Sequence, residues 1–182
     1  CVQYGLPHGY FDRPVDILHD GFDCVIRTGA LPEDGVIARP LGKLTMVNCA
    51  SPHYLTRFGY PQSPDDLTSH AIVRYTPHLG VHPLGFEVAS VNGVQWFKSG
   101  GMLTVNSSEN YLAAGLAGLG IIQIPRIAVR EALRAGRLIE VLPGYRAEPL
   151  SLSLVYPQRR ELSRRVNLFM QWLAGVMKEH LD

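Results

Sequence analysis

The sequence lacks the features that mark several common classes of protein. Its formal net charge is only +1 over 182 residues, so no overall field directs it to nucleic acid or to an acidic membrane surface. No apolar run approaches the roughly 18 residues of a membrane-spanning helix. The N-terminal segment CVQYGLPHGY does not combine a basic stretch with an apolar one, as a signal peptide would. We therefore expect a cytoplasmic protein without membrane contact.

Cysteine is scarce, and its spacing indicates no disulfide framework. The three cysteines, Cys1, Cys24 and Cys49, are an odd number and lie far apart. Cys24 lies in the apolar segment DCVIR, where a free cysteine behaves as a small buried hydrophobic residue. Such cysteines are typical of a reducing compartment, which agrees with the cytoplasm.

Patterns for metal binding and catalysis are also missing from the sequence. His78 and His82 have the spacing of two metal ligands on one helix, but the prolines and the glycine around them exclude a regular helix. The sequence contains no GxSxG turn, no P-loop and no dinucleotide-binding glycine pattern between a strand and a helix. The arginines around Glu161 are expected at a solvated helix start. We therefore predict no metal, no cofactor and no enzymatic activity.

The sequence does contain an alternation of predicted strands and helices. Strands are predicted at residues 1–6, 22–29, 44–51, 71–76, 102–107, 121–125, 138–143 and 150–157. Helices are predicted at residues 12–20, 51–58, 63–69, 107–118 and 127–136, and from Ser163 onward. A β-hairpin that turns at Asn92-Gly93 is predicted within residues 85–99. This alternation predicts an α/β fold with mostly parallel sheets.

Residues 106–125, NSSENYLAAGLAGLGIIQIP, place three polar side chains directly before a helix that leads into an apolar strand. Backbone N–H groups at a helix start lack partners and carry a partial positive charge, so they can bind a carboxylate. Asn106, Ser107 and Ser108 can instead have the ordinary role of residues at an N-cap and bind no ligand, which is the commoner case. The glycines in the helix predict a close approach to a sheet or to another helix. The residues alone leave the role of this helix start open.

Three long segments resemble one family, in the same order along the chain. Residues 13–55 contain IRTGALP, ARPLG and CASPHYL, residues 105–125 read VNSSENYLAAGLAGLGIIQIP, and residues 136–173 contain GRLIEVLPGY and LSLSLVYP. In these segments the sequence resembles the effector-sensing (co-inducer) domain of LysR-type transcriptional regulators. The resemblance covers essentially all 182 residues.

The resemblance implies an α/β fold of two Rossmann-like lobes joined by two crossing strands, like that of type 2 periplasmic binding proteins. Residues 1–49 and 150–182 would form the first lobe, and residues 50–149 the second. A small-molecule effector, expected to be an organic or aromatic carboxylate, would bind in the cleft between the lobes. The implied function is ligand sensing that controls DNA binding in transcription regulation.

The resemblance also implies which residues line the cleft. The expected ligand-binding residues are His8, Gly9, Thr28 and Gly29 from the first lobe and Asn106, Ser107, Ser108 and Gln123 from the second. Other roles are open for several of them. Thr28 can be a turn residue, His8 can lie in a solvated loop, and the amide of Gln123 can bind neighbouring backbone instead of ligand.

The expected partners follow from the same resemblance. The complete regulator would be a homo-oligomer, either a dimer or a tetramer. DNA would be contacted only through a helix-turn-helix domain that would precede Cys1. Because the chain begins inside a predicted strand, without an initiating methionine, we expect a fragment of the complete protein. Two alternatives share the scaffold, namely a solute-binding or transport protein and an enzyme.

Overall fold

The structure is a computed structural model, and it describes residues 22–29, 35–76, 85–158, 163–178 and 181. The predicted strand at residues 1–6, the predicted helix at residues 12–20, and His8 and Gly9 lie outside the described residues. The chain divides into two compact units, of which unit 1 comprises Cys1–Thr45 and Pro149–Asp182 and unit 2 comprises Met46–Glu148. The assignment of residues 1–49 with 150–182 and of residues 50–149 to regulatory lobes stays a prediction.

The described residues form ten strands, four α-helices and one 3-10 helix. The strands are β1 (Val25–Thr28), β2 (Val36–Leu44), β3 (Met46–Ala50), β4 (Ala71–Tyr75), β5 (Phe86–Ser90), β6 (Gly93–Phe97), β7 (Gly100–Val105), β8 (Ile122–Pro125), β9 (Ile139–Glu140) and β10 (Leu150–Pro157). The α-helices are α1 (Pro52–Phe58), α2 (Ser108–Leu116), α3 (Arg126–Arg134) and α4 (Arg164–Met177), and the 3-10 helix is Pro64–Ser69. None of these helices is long and apolar enough to cross a bilayer.

Unit 1 contains a three-stranded antiparallel sheet in which β10 lies between β1 and β2. On one face of the sheet Val25 packs with Val155, and on the other face Leu154 packs with Met170 of α4. Because apolar side chains pack on both faces of the sheet, the consecutive residues 152–155 of β10 are all buried.

Unit 2 contains β3 between β8 and β9, the strand pair β4–β7 and the hairpin β5–β6. Among the pairs of named strands in the described residues, only β4–β7 is parallel, with an isolated parallel bridge between Ile72 and Ile121. The prediction of mostly parallel sheets is therefore wrong for the described part of the chain. Alternation of strands and helices predicts parallel pairing only where two strands that follow one another in the chain are also neighbours in the sheet. Strands β3 and β10 instead pair with strands that are distant in sequence, so the alternation does not indicate the direction of their pairing.

The predicted hairpin is present, with its turn displaced by one residue. Strands β5 and β6 pair antiparallel, and Ser90 lies opposite Gly93. The two turn residues are therefore Val91 and Asn92, instead of the predicted Asn92 and Gly93. Gly93 has a φ of 105° and follows the turn as the first residue of β6.

Two of the predicted helix starts in unit 2 follow from local hydrogen bonds. Ser51 is the N-cap of α1, and its hydroxyl accepts a hydrogen bond from the N–H of Tyr54 at 3.2 Å. Ser63 and Asp66 form a capping box before the segment at residues 64–69, which is a 3-10 helix. These contacts confirm the predicted starts at residues 51 and 63.

The core of unit 2 has two apolar clusters. The first cluster contains Val47, Cys49, Val73, Tyr111, Ala114, Ile122, Ile124, Val129, Ala132 and Leu138. The second contains Ala50, Tyr54, Leu55, Leu67, Ile72, Phe86, Val88, Ile121, Val141 and Leu142. A Cβ atom at Gly115 of α2 would lie 2.6 Å from Cδ1 of Ile122, so the glycine allows α2 to pack directly on β8. This contact confirms the predicted close approach.

The two cysteines in the described residues are free and buried, as the sequence predicts. Cys49 lies in the first apolar cluster of unit 2. Its burial raises the pKa of the Cys49 thiol to about 12, so the thiol stays protonated at neutral pH and is not a reactive nucleophile. The position of Cys24 beside Leu154 in unit 1 likewise indicates a packing role.

Candidate functional site

In unit 2 the carboxyl ends of two parallel strands meet the amino end of α2. Tyr75 of β4 lies opposite Val105 of β7, and the N–H of Thr76 donates a hydrogen bond to the oxygen of Val105 at 2.9 Å. Asn106 and Ser107 then connect β7 to the first residue of α2. In α/β folds, ligands bind at the edge where strands end and helices begin.

The three predicted polar residues lie at this start of α2. Ser107 is the N-cap, with φ −126° and ψ 133°, and its hydroxyl accepts a hydrogen bond from the N–H of Asn110 at 3.5 Å. The N-cap interpretation is therefore confirmed for Ser107, although this hydrogen bond is long. Ser107 is half-buried, whereas Asn106 and Ser108 are exposed. The helix start thus presents to solvent side chains that can donate and accept hydrogen bonds.

Tyr111, in the first turns of α2, connects the helix to β8 and β4. It is buried, with 7% of its surface exposed. Its hydroxyl accepts a hydrogen bond from the N–H of Gln123 at 2.8 Å and donates one to the oxygen of Gln123 at 3.3 Å. Its ring centroid lies 5.8 Å from that of Tyr75. Burial raises the pKa of Tyr111 to about 12, so the hydroxyl stays protonated and neutral at physiological pH.

Gln123 uses its side-chain amide within unit 2. Its Nε2 donates hydrogen bonds to Oδ1 of Asn48 at 2.9 Å and to the oxygen of Glu87 at 2.8 Å. Its Oε1 accepts a hydrogen bond from the N–H of Glu87 at 3.3 Å. Both amide hydrogens are therefore paired with protein, largely as the backbone interpretation predicts. A contact between Gln123 and a ligand stays a prediction. In such a contact, Oε1 would accept a further hydrogen bond from the ligand.

In unit 1, Thr28 and Gly29 form the end of β1 and the turn that follows it. Thr28 lies opposite Leu152 of β10 and is exposed. Gly29 has a φ of 76°, in the left-handed region that glycine tolerates, and its N–H donates a hydrogen bond to the oxygen of Ser151 at 3.0 Å. Gly29 therefore has a turn role, and Thr28 is an exposed residue whose hydroxyl can donate and accept.

Sequence reasoning missed three buried residues of this part of unit 2, namely Asn48, Thr76 and Tyr111. A signal existed for Thr76, because it is the polar residue that directly follows the apolar strand AIVRY. A signal also existed for Asn48, since an amide inside the apolar run MVNCA needs internal partners. Tyr111 has the spacing of an ordinary core residue of α2, and nothing local indicates that its hydroxyl binds a strand.

A separate depression on unit 2 has a volume of about 220 Å³ and is lined by residues 60–62 and 140–145. None of the predicted site residues lines it. In its wall the carboxylate of Glu140 accepts hydrogen bonds from Arg126 at 2.7 Å and from Arg146 at 2.6 Å. Within the described residues, no group of three or more His, Cys, Asp or Glu side chains could hold a metal ion, and His78 and His82 lie outside them.

Comparison with protein families identifies the LysR substrate binding domain, which matches residues 2–178 of the chain. The chain is 99% identical over 171 residues to the HTH-type transcriptional regulator YhjC of Escherichia coli K12, a match that covers 94% of this chain and 57% of that protein. It is 31% identical over 166 residues to the HTH-type transcriptional activator AaeR of the same organism, covering 90% of this chain and 52% of AaeR. The chain thus spans about half the length of the curated relatives it matches.

Solved structures of two transcriptional regulators are similar to the chain. The regulatory domain of CrgA from Neisseria meningitidis, a LysR-type transcriptional regulator, has a TM-score of 0.76 at 24% identity and covers 93% of this chain and 80% of that one. The effector domain of AmpR of Pseudomonas aeruginosa has a TM-score of 0.70 at 22% identity and covers 91% of this chain and 78% of that one. These likenesses confirm the predicted α/β fold, like that of type 2 periplasmic binding proteins. With the match over residues 2–178, they confirm the resemblance: the chain belongs to the family of LysR substrate binding domains.

Proposed function

We propose that the chain is the ligand-sensing domain of a longer LysR-type transcriptional regulator and that a small-molecule effector binds at the amino end of α2. One observation carries the proposal: the ends of β4 and β7 meet the start of α2, where Asn106, Ser107 and Ser108 are exposed or half-buried. The proposed ligand set further includes Thr28 and Gly29 of unit 1 and the acceptor oxygen of Gln123.

An organic carboxylate is the proposed class of effector. The N–H groups at the start of α2 and the partial positive charge of the helix favour an anion, and the neighbouring hydroxyl and amide groups can donate further hydrogen bonds. Glu109 is an acidic residue in the first turn. Because Glu109 is exposed, water and salt screen its charge, so it reduces the affinity for an anion without preventing binding.

The regulatory role requires more than this chain. The relatives YhjC and AaeR are named as HTH-type regulators. We therefore propose that a helix-turn-helix segment of the longer protein binds DNA and that the protein is a cytoplasmic homo-oligomer, either a dimer or a tetramer. The effector would act by binding one of two conformations more tightly than the other and so shifting their populations. The proposed role is binding without turnover.

Isothermal titration calorimetry with a panel of small aliphatic and aromatic carboxylates, including sodium benzoate, tests the effector class. Benzamide is the matched control for benzoate, because it keeps the ring and removes the charge. We expect at least one carboxylate to bind, and to bind about tenfold more tightly than its uncharged amide, a difference of about 1.4 kcal/mol. If no member of the panel binds, or if the amides bind equally well, the carboxylate proposal is wrong.

Single substitutions test the site with whichever carboxylate binds. Ser107→Ala and Thr28→Ala are each expected to weaken binding about tenfold, since each removes a hydroxyl that can bond to the ligand, without unfolding the chain. Ser163→Ala is the matched control, because Ser163 is the N-cap of α4 in unit 1 and its hydroxyl accepts from the N–H of Val166 at 3.3 Å. Unchanged affinity in the Ser107 and Thr28 variants would reject this site.

A further inference from the structure

The residue Gln123 joins three elements of unit 2. Its backbone N–H and oxygen are both bonded to the hydroxyl of Tyr111 in α2, at 2.8 and 3.3 Å. Its side-chain amide is bonded to the backbone of Glu87 in β5, at 2.8 and 3.3 Å, and to Asn48 in β3, at 2.9 Å. Gln123 therefore links Tyr111 of α2 to residues of two strands through a continuous set of hydrogen bonds.

Asn48 continues this path from Gln123 to a turn at residues 142–145. Asn48 is fully buried, with 0% of its surface exposed. Its Nδ2 donates hydrogen bonds to the oxygens of Leu142 at 3.2 Å and Tyr145 at 2.9 Å, while its Oδ1 accepts from Gln123. The backbone oxygen of Asn48 also accepts from the N–H of Val141 at 2.9 Å. Three hydrogen bonds of Asn48 thus hold the segment at residues 141–145 against β3.

The turn contains a strained residue. Leu142 has a φ of 48°, and it is the one non-glycine residue of positive φ in the described part of the chain. A left-handed backbone at leucine is unfavourable and persists only where surrounding contacts impose it. Those contacts are the hydrogen bond from the N–H of Tyr145 to the oxygen of Leu142, at 2.9 Å, and the two bonds from Asn48. Loss of the Asn48 bonds would let the turn relax.

Both chain connections between the units adjoin this path. Unit 2 begins at Met46, in the same strand as Asn48, and it ends at Glu148, three residues after the turn residue Tyr145. The two ends of unit 2 are therefore close in sequence to Asn48 and Tyr145, which are bonded to each other and, through Gln123, connected to Tyr111 of α2.

We propose that Tyr111, Gln123 and Asn48 form a regulatory relay, which passes a displacement of the first turns of α2 to β3 and to the strained turn at residues 142–145. In this relay Gln123 and Asn48 are positioning residues. The biological meaning of the relay rests on the proposed function, because effector binding at the start of α2 would be the event that displaces the helix. The contacts supply a connected path, and coupling along it is measurable.

Residue-resolved amide hydrogen exchange by NMR, on the 182-residue chain without ligand, tests the relay. Tyr111→Phe removes the hydroxyl with which the path begins. Tyr54→Phe is the matched control in the same unit. The Tyr54 hydroxyl likewise accepts from the N–H of Ala71 at 2.9 Å and donates to its oxygen at 3.4 Å, but its side-chain partner is His70.

The expected result is a local increase in exchange. The amide exchange rates of Val141 and Tyr145, taken relative to that of Val129 in α3, should rise about fivefold in Tyr111→Phe, because about fivefold corresponds to the net strength of one ordinary hydrogen bond. In Tyr54→Phe the same rates should rise less than about twofold. Equal increases in the two variants would mean general destabilisation and would overturn the relay. No increase in Tyr111→Phe would overturn it too.

A second variant tests the middle of the path. Gln123→Met removes the amide with little change in volume. Gln123→Met should by itself raise the exchange rates at Val141 and Tyr145. In the double variant, Tyr111→Phe should cause no further increase beyond that of Gln123→Met. Additive effects of the two substitutions would contradict the relay. If Tyr111→Phe does not fold, Ser107→Ala perturbs the same helix start more mildly, with Ser163→Ala as its control. Because no ligand is added, these outcomes are independent of the calorimetry that tests effector binding.

Discussion

Two clusters in unit 2 use one kind of contact in different surroundings. We call them the α1 cluster, which is Ser51, Tyr54, His70 and Ala71, and the α2 cluster, which is Ser107, Tyr111 and Gln123. In the α1 cluster the Tyr54 hydroxyl bonds to both the N–H and the oxygen of Ala71. In the α2 cluster the Tyr111 hydroxyl bonds to the same two groups of Gln123. Each tyrosine lies near a helix start and satisfies the backbone groups of one strand residue.

The clusters differ in the exposure of the N-cap residue. Ser51 is 3% exposed, and the ring of Tyr54 packs against the rings of Phe58 and His70. Ser107, the N-cap of α2, is instead half-buried, and it lies between the exposed residues Asn106 and Ser108. Only an exposed helix start can offer its N–H groups to a ligand. Burial of the N-cap residue, and not the presence of a serine there, therefore distinguishes the start of α1 from the candidate binding site at the start of α2.

The largest effect should come from a substitution that crowds Ala71 of the α1 cluster. A Cβ atom at Gly120 would lie 2.6 Å from the backbone oxygen of Ala71, which cannot move aside as a side chain can. We expect Gly120→Ala to lower the free energy of unfolding by about 3 kcal/mol, as measured by urea denaturation. Gly144→Ala is the control, because no atom lies within 4 Å of its added Cβ. Similar losses in both variants would contradict the close packing at Ala71.

A smaller effect should distinguish the two N-caps. The Ser51 hydroxyl accepts from the N–H of Tyr54 at 3.2 Å in a buried setting, whereas the Ser107 bond to Asn110 is 3.5 Å long and accessible to water. We expect Ser51→Ala to cost about 1.5 kcal/mol and Ser107→Ala about 0.5 kcal/mol of stability in urea denaturation. Equal costs would mean that exposure does not separate the two helix starts.

Local patterns were sufficient to predict the starts of α1 and α2. The bonds of Ser51 and Ser107 reach N–H groups three residues away, so the residues that make them appear together in the sequence. The close packing of α2 was predictable for a similar reason, because a glycine inside a helix indicates a neighbour at short distance. The family resemblance added the two-lobe fold, which no local pattern supplies. It also favoured a binding site at the start of α2, where the local pattern had left both a binding role and an ordinary N-cap role open.

Contacts between distant residues were not predictable from local patterns. Asn48 and Gln123 are separated by 75 positions, and nothing near either residue indicates the other. The direction of β3 relative to β8 depends on the same long-range pairing, and for that reason the prediction of parallel sheets failed. The candidate site residues at α2 could be named from the sequence, but the buried residues that connect them to the rest of unit 2 could not.

The smallest effect should be a pH dependence confined to the α1 cluster. Burial lowers the pKa of His70 from its ordinary value of 6.5, and nearby Asp66 offsets part of this shift. The folded state then binds fewer protons than the unfolded state, so the contribution of His70 is complete above pH 6.5 and is lost as the pH falls through the folded pKa. The pKa of Asp66 is lowered from 3.8, so its own contribution is lost only at more acidic pH.

Urea denaturation at pH 7.5 and at about pH 5 should show a loss of stability in the natural chain and a smaller loss in His70→Gln. Tyr111, with a pKa of about 12, stays protonated throughout this range, so Tyr111→Phe should leave the pH dependence unchanged. A pH dependence that survives in His70→Gln and disappears in Tyr111→Phe would reverse the roles assigned to the two clusters.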